Sequence, residues 1–136
     1  RAGYDEGILL TDQGTIADGP GENIFIVKGG TIYTPPLSTS ILPGITRETV
    51  IAMATDLGYV VEEADLIRTD LYLADEVFMT GTAAEVTPVR SVDDHEVGAG
   101  PVTARIQAAF FDVVHGRSPR SAAYLEFPAS DRTAAR

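Results

Sequence analysis

Short apolar runs alternate with glycine-rich turns near the beginning of the sequence. β-Branched runs between Gly7 and Pro36 are separated by Gly-Pro-Gly at 19–21 and by Lys28-Gly29-Gly30. Glycine turns between such runs are typical of β-hairpins. We therefore predict a β-meander over residues 7–36, with Lys28 in solvent at a hairpin tip.

A helical period follows. Apolar residues recur at the i, i+3, i+4, i+7 spacing of one buried face at Val50, Met53, Ala54 and Leu57. Gly58 then occupies the usual position of a left-handed helix cap. The next residues, Tyr59 to Glu63, are typical of a strand. The segment predicts a β-helix-β unit whose two strands are parallel.

The pattern after residue 63 predicts an alternation of strands and helices. Strands are expected at 76–80 and 86–92, with a turn at Asp93-Asp94, and Thr69 is expected to cap a short helix that ends at Leu73. Pro101 opens the last helix and Gly116 follows it, which is the usual asymmetry of helix ends. The apolar side of that helix consists of Val102, Ile106, Phe110 and Val113. The fold class is therefore α/β with a mixed sheet.

Composition places limits on function. The 136 residues suffice for one domain, and 44% of them are apolar. The net charge of -10 argues against nucleic acid as a partner, because phosphate backbones bind clustered cations. No apolar run approaches the roughly 20 residues that a membrane helix needs, so we expect no membrane partner. Cysteine is absent, which fits a cytoplasmic protein.

Two segments could bind an anion. Leu42-Pro43-Gly44-Ile45-Thr46 leads into the first predicted helix, and helix starts present unpaired N–H groups at the positive end of the helix dipole. Gly44 permits close backbone approach, and Thr46 adds a hydroxyl. The second segment, Gly81-Thr82, follows a predicted strand, where successive N–H groups can form a concave anion site. The alternative for the first segment is an ordinary helix start after a Pro-Gly turn.

Other chemistry has little support in the residues. The segment Asp18 to Asn23 suits either a loop between strands or a backbone that passes close to a ligand. His95 and His115 have no neighbours at metal-ligand spacing, so no metal site is predicted. No Ser/His/Asp arrangement is present, and neither glycine segment matches a dinucleotide motif or a P-loop.

Three motifs together resemble the branched-chain aminotransferases of the fold-type-IV, class-IV pyridoxal-phosphate family. They are Gly-Pro-Gly-Glu-Asn-Ile-Phe at 19–25, Leu-Pro-Gly-Ile-Thr-Arg at 42–47, and the run from Leu73 to Val89. The resemblance extends from about residue 3 to about residue 127. It implies a pseudo-barrel of strands with flanking helices, the C-terminal domain that cradles pyridoxal 5'-phosphate. Residues 128–136 are expected to form a disordered tail.

The resemblance assigns roles to the motif residues. Leu42, Ile45 and Thr46 match the residues that bind the cofactor's phosphate, and Leu42 also matches a residue that lies against the pyridine ring. Thr82 matches a second phosphate ligand, and the N–H groups of Thr82 and Ala83 match the donors to the substrate carboxylate. Asp18 takes the place of the usual Glu beside the pyridine nitrogen, with Glu22 as the alternative acid. The implied cofactor-binding residues are Asp18, Leu42, Gly44, Ile45, Thr46, Gly81 and Thr82.

One residue that the family requires has no match here. A transaminase needs a lysine that attaches the cofactor and moves a proton, and in the family it precedes the region matched by this sequence. The single lysine, Lys28, is expected in solvent. The sequence begins at Arg1 rather than Met. We therefore expect a fragment that is inactive alone and that works with a missing N-terminal domain.

The resemblance implies a transaminase that exchanges amino groups between leucine, isoleucine or valine and 2-oxoglutarate. The small-molecule partners are thus amino acids and 2-oxo acids, and the family's shared active sites imply a homo-oligomer. Within the same fold, the alternatives are a D-amino acid transaminase and an aminodeoxychorismate lyase. A non-catalytic binding domain that keeps the phosphate site is the alternative from another class.

Overall fold

A five-stranded mixed sheet forms the centre of the part of the chain that the computed structural model describes, which is residues 23–36, 45–81, 85–92, 95–98 and 100–116. The five strands of this sheet are β1 (Asn23–Lys28), β2 (Thr31–Thr34), β3 (Val60–Glu63), β4 (Glu76–Gly81) and β5 (Glu85–Pro88). A separate small hairpin consists of β6 (Ser91–Val92) and β7 (His95–Glu96). The helices are α1 (Ile45–Asp56), α2 (Arg68–Leu73) and α3 (Pro101–Val114).

One pair of strands in the sheet is parallel. The spatial order is β3-β2-β1-β4-β5; β2 and β3 run parallel, and the other neighbours are antiparallel. Parallel neighbours need a crossover connection, and α1 lies between β2 and β3 in the chain. This arrangement confirms the predicted β-helix-β unit and the predicted mixed sheet.

Apolar side chains cover both faces of the sheet. Alternate residues of a strand point to opposite faces, so Phe25 and Phe78 pack against α1 and α3, while Ile24 and Met79 face the other side. The rings of Phe25 and Phe78 stack with their centroids 4.9 Å apart. The other face packs against Leu71 of α2 and against the small hairpin. The central strands β1 and β4 are therefore enclosed between two apolar layers.

The predicted helix faces agree with the observed burial. Val50, Met53 and Ala54 are buried, whereas Leu57 is half-buried near the end of the helix. Gly58 has φ of +98°, the left-handed conformation expected of a cap. The start of α3 at Pro101 is likewise confirmed, and Gly116 follows it with φ of +70°.

Two local predictions are wrong. Thr69 does not cap α2, because the helix begins at Arg68 and the carboxylate of Asp70 accepts the Ile67 N–H at 2.9 Å. The single strand predicted over 86–92 is divided into β5 and β6. Pro88 ends β5, and proline cannot donate a ladder hydrogen bond. The first strands of the meander, the Asp93-Asp94 turn and the C-terminal tail lie outside the described residues.

Strand directions define one edge of the sheet that matters for the site. Because β2, β3 and β4 point the same way and β1 points the opposite way, Asn23 lies at the same edge as the ends of the other three strands. We call this edge, marked by Asn23, Thr34, Glu63 and Gly81, the upper edge. No helix among the described residues is both long and apolar enough to cross a membrane.

Candidate functional site

The first turn of α1 lies at the upper edge of the sheet. Ile45 and Thr46 are the first two residues of the helix, and Thr46 is half-buried. Backbone N–H groups in a first helical turn have no partner within the helix and lie at the positive end of its dipole. The local structure thus has the donors that an anion site requires.

The end of β4 lies at the same edge. Gly81 is the last residue of that strand and is buried. The structure therefore places the start of α1 and the end of β4, which the sequence indicated separately as anion-binding segments, at one edge of the sheet. For Ile45 only the backbone is described, and the remaining predicted site residues lie outside the described residues: Asp18, Leu42, Gly44, Thr82 and Ala83.

Arg47 fixes the position of the helix start relative to the sheet. Its side chain is fully buried. Nη2 donates to the carbonyl oxygen of Pro35 at 3.0 Å and to Oε2 of Glu63 at 2.8 Å. Nη1 donates to the carboxylate of Glu48 in the same helical turn. One guanidinium thus joins α1 to the chain that follows β2 and to the end of β3.

The two carboxylates explain how a cation is tolerated at this position. A positive charge in a first helical turn opposes the helix dipole, and a buried ion is stable only when it is paired. Glu63 and Glu48 provide that pairing, and both are about half exposed. Because both terminal nitrogens donate within the protein, we treat Arg47 as part of the frame of the site rather than as a ligand-binding group.

Thr80 provides an unpaired hydroxyl next to Gly81. Its side chain is fully buried, and Oγ1 has no hydrogen-bond partner among the described residues. It lies on the same face of β4 as Phe78, the face covered by the helices, and opposite Asn23 of β1. A buried hydroxyl without a partner costs about 1–3 kcal/mol, so Thr80 lowers the stability of the sheet at this edge.

Lys28 lies at the opposite edge. It ends β1 at the hairpin tip, its side chain is 55% exposed, and Nζ is 3.9 Å from the carboxylate of Asp75. Strand β1 has six residues, so its two ends are about 17 Å apart at roughly 3.4 Å per step. The prediction that Lys28 is in solvent is confirmed, and the lysine is a strand length away from the helix start.

Sequence reasoning missed Arg47 and Thr80. Both lie inside motifs that were noticed, but no role was assigned to either. Arg47 carried one detectable signal, since arginine is unfavourable in a first helical turn and its presence there indicates a tertiary partner. Thr80 carried none, because an alternating strand pattern does not reveal which hydroxyl lacks a partner.

Comparison with known proteins identifies the family to which the chain belongs. Residues 1–92 match the family described as Amino-transferase class IV. That match covers more than half of the 136 residues, so the chain belongs to the class-IV aminotransferase family.

Sequence relatives place the chain near one branch of that family. It is 54% identical over 129 residues to the branched-chain-amino-acid aminotransferase of Salmonella typhimurium, covering 93% of this chain and 42% of that protein. Solved structures agree. The branched-chain aminotransferase of Thermoproteus uzoniensis with norvaline superposes with a TM-score of 0.88 at 46% identity, covering 90% of this chain and 41% of that one.

A third relative was solved with a bound molecule. The branched-chain amino acid aminotransferase of T.th. with pyridoxamine 5'-phosphate matches with a TM-score of 0.87 and 48% identity, covering 90% of this chain and 42% of that one. The chain therefore spans about two fifths of the length of these relatives. At 46–48% sequence identity, the matched part of these structures has the same fold as this chain.

Proposed function

We propose that the natural protein containing this sequence is a branched-chain amino acid aminotransferase. It would transfer the amino group between leucine, isoleucine or valine and 2-oxoglutarate. The observation that carries the proposal is that the α1 start and the β4 end both lie at the upper edge of the sheet, in a chain of the class-IV family. The names of the relatives support the branched-chain substrates.

Pyridoxal 5'-phosphate is the cofactor that we propose for this edge. Its phosphate would accept hydrogen bonds from the backbone of Ile45 and Thr46, with Gly81 and Thr82 on the opposite side. Leu42 would belong to the phosphate site and also lie against the pyridine ring, and Gly44 would let the backbone approach the phosphate closely. When bound, the cofactor supplies the group that receives the amino nitrogen and a pyridinium ring that withdraws electrons.

The chain's own residues would orient both the cofactor and the substrate. We propose that the N–H groups of Thr82 and Ala83 bind the substrate carboxylate. The Asp18 carboxylate would hold a proton on the pyridine nitrogen, and Glu22 is the alternative acid. Comparing turnover of Asp18→Ala and Glu22→Ala decides between them, because only loss of the acid at the nitrogen should reduce turnover strongly.

Residues 1–127 are proposed to form the cofactor-cradling C-terminal domain of that protein. The lysine that attaches the cofactor would come from elsewhere in the natural protein, because Lys28, the single lysine in this sequence, is exposed at the edge opposite the α1 start. A homo-oligomer is part of the proposal. The cytoplasmic location stays a prediction.

A substrate panel tests the proposed activity. The natural protein containing this sequence, loaded with pyridoxal 5'-phosphate, is assayed with L-leucine, L-isoleucine, L-valine and D-alanine, each with 2-oxoglutarate, and separately with aminodeoxychorismate. We expect turnover of the three branched L-amino acids. Preference for the D-amino acid, or lyase activity on aminodeoxychorismate, would overturn the branched-chain assignment. Cofactor binding without turnover of any of these substrates would favour a non-catalytic binding domain that keeps the phosphate site.

A further inference from the structure

The buried side chain of Arg47 contacts three protein acceptors around the first turn of α1. We propose that Arg47 is a positioning residue for phosphate binding, holding the first turn of α1 at the upper edge through Pro35 and Glu63. This inference rests on the proposed function, because it concerns the cofactor's phosphate. Arg47 would act on phosphate binding indirectly, by fixing the position of the backbone N–H groups of Ile45 and Thr46.

The connections of the guanidinium carry the argument. It reaches three acceptors: the Pro35 carbonyl just after β2, the Glu63 carboxylate at the end of β3, and Glu48 within α1. The side chain is fully buried, so it has one fixed environment rather than many solvated ones. Any shift of the helix start away from the sheet would break the contacts with Pro35 and Glu63 together.

The chemistry of arginine suits this function. A guanidinium is planar and presents several donors in a fixed fork, whereas a lysine ammonium is a compact charge on a flexible stem. Replacement by lysine would keep the positive charge between Glu48 and Glu63 but would not preserve the fixed geometry. Replacement by methionine would remove the charge as well, leaving two carboxylates beside a phosphate. The two variants therefore separate geometry from charge.

A purely structural role for Arg47 predicts a different result from a positioning role. If Arg47 only stabilises the fold, its loss should weaken binding of a phosphorylated and an unphosphorylated ligand by the same factor. If it positions the helix start, the loss should fall on the phosphorylated ligand. The informative quantity is therefore the ratio of the two dissociation constants, which is independent of turnover.

The test uses the natural protein containing this sequence, stripped of cofactor. Pyridoxamine 5'-phosphate, pyridoxamine and inorganic phosphate are titrated calorimetrically into wild type, Arg47→Lys, Arg47→Met and Glu63→Gln. Arg105→Gln is the matched control, because it removes an equal charge from an exposed arginine that lies over Tyr59, beyond the other end of α1. We expect Arg47→Met to weaken the two phosphate-bearing ligands about tenfold to a hundredfold. Pyridoxamine binding should change little.

The conservative variants keep the test decisive if Arg47→Met does not fold. We expect Arg47→Lys and Glu63→Gln to lower the preference for the phosphorylated ligand by about three- to tenfold, and Arg105→Gln to leave it unchanged. An unchanged ratio in folded Arg47→Lys, or equal losses for both pyridoxamine ligands, would overturn the positioning role. Wild type that binds neither pyridoxamine 5'-phosphate nor inorganic phosphate would instead overturn the proposed function.

Discussion

The carboxylate of Glu76 occupies the space that a side chain at residue 100 would need. Glu76 is buried at the start of β4, and its two oxygens accept the N–H groups of Thr103 at 2.7 Å and Val102 at 3.2 Å. A Cβ added to Gly100 would clash with Cδ and Oε2 of Glu76. The start of α3 is thus satisfied by a carboxylate from the sheet, and glycine leaves room for it.

We expect Glu76→Ala to destabilise the protein. The substitution leaves the buried N–H of Thr103 and the half-buried N–H of Val102 without their acceptor, and hydrogen bonds to a charged group contribute about 1.5–3 kcal/mol. Thermal unfolding of the natural protein measures the change, and hydrogen exchange at Val102 and Thr103 should accelerate. Asp112→Ala, at an exposed position of α3, is the control and should stay within about 0.5 kcal/mol. Equal melting temperatures would contradict the capping role.

Gly100→Ala should act through the same contact. The new methyl group would displace the Glu76 carboxylate and break the bonds that it accepts, so we expect a loss comparable to that of Glu76→Ala. Because both changes remove one interaction, the double variant should lose clearly less than the sum of the single losses. Gly98→Ala is the milder comparison, since its Cβ would lie 3.3 Å from a backbone oxygen. Additive losses would show that the two residues act separately.

Removing the buried hydroxyl of Thr80 should stabilise the protein, in contrast to the two substitutions above. Valine has nearly the same shape and removes an unpaired polar atom, which costs about 1–3 kcal/mol when buried. We expect Thr80→Val to raise the melting temperature of the cofactor-free protein, while Thr80→Ser, which keeps the hydroxyl, should not. A lower melting temperature for Thr80→Val would show that the hydroxyl has a partner beyond the described residues.

Lys28 should be dispensable for the reaction. Its side chain is exposed, and its ion pair among the described residues is a 3.9 Å contact with Asp75; exposed ion pairs contribute about 0–1 kcal/mol. We expect Lys28→Gln to retain full turnover and cofactor binding in the natural protein. The readouts are initial rates with L-leucine and the cofactor's absorbance. Loss of the bound cofactor in this variant would show that Lys28 reaches the active site.

Local patterns predicted most of the described elements. The burial of Val50 and Met53 follows from helical periodicity, and the turn after Lys28 follows from its two glycines, both of which adopt positive φ. Such features depend on neighbours within a few residues. The family motifs likewise pointed to the helix start at Thr46 and the strand end at Gly81, which the structure places at one edge.

Features set by distant partners were not predictable. The environment of Arg47 depends on Glu63, sixteen residues away, and the helix cap from Glu76 acts on residues more than twenty-five positions later. Local propensity also misplaced the start of α2, where Asp70 rather than Thr69 satisfies the backbone. The features that the sequence patterns did not predict are therefore those that hydrogen bonds from side chains to other parts of the chain determine.

The hairpin tip between β1 and β2 offers a place for a chemical label. Gly29 and Gly30 lie in open space, and the tip is a strand length from the upper edge. The 136 residues contain no cysteine. A Lys28→Cys substitution would therefore introduce a thiol at an exposed position of this sequence, where a fluorophore could be attached. Its emission would report movements of the hairpin without occupying the edge at which the cofactor is proposed to bind.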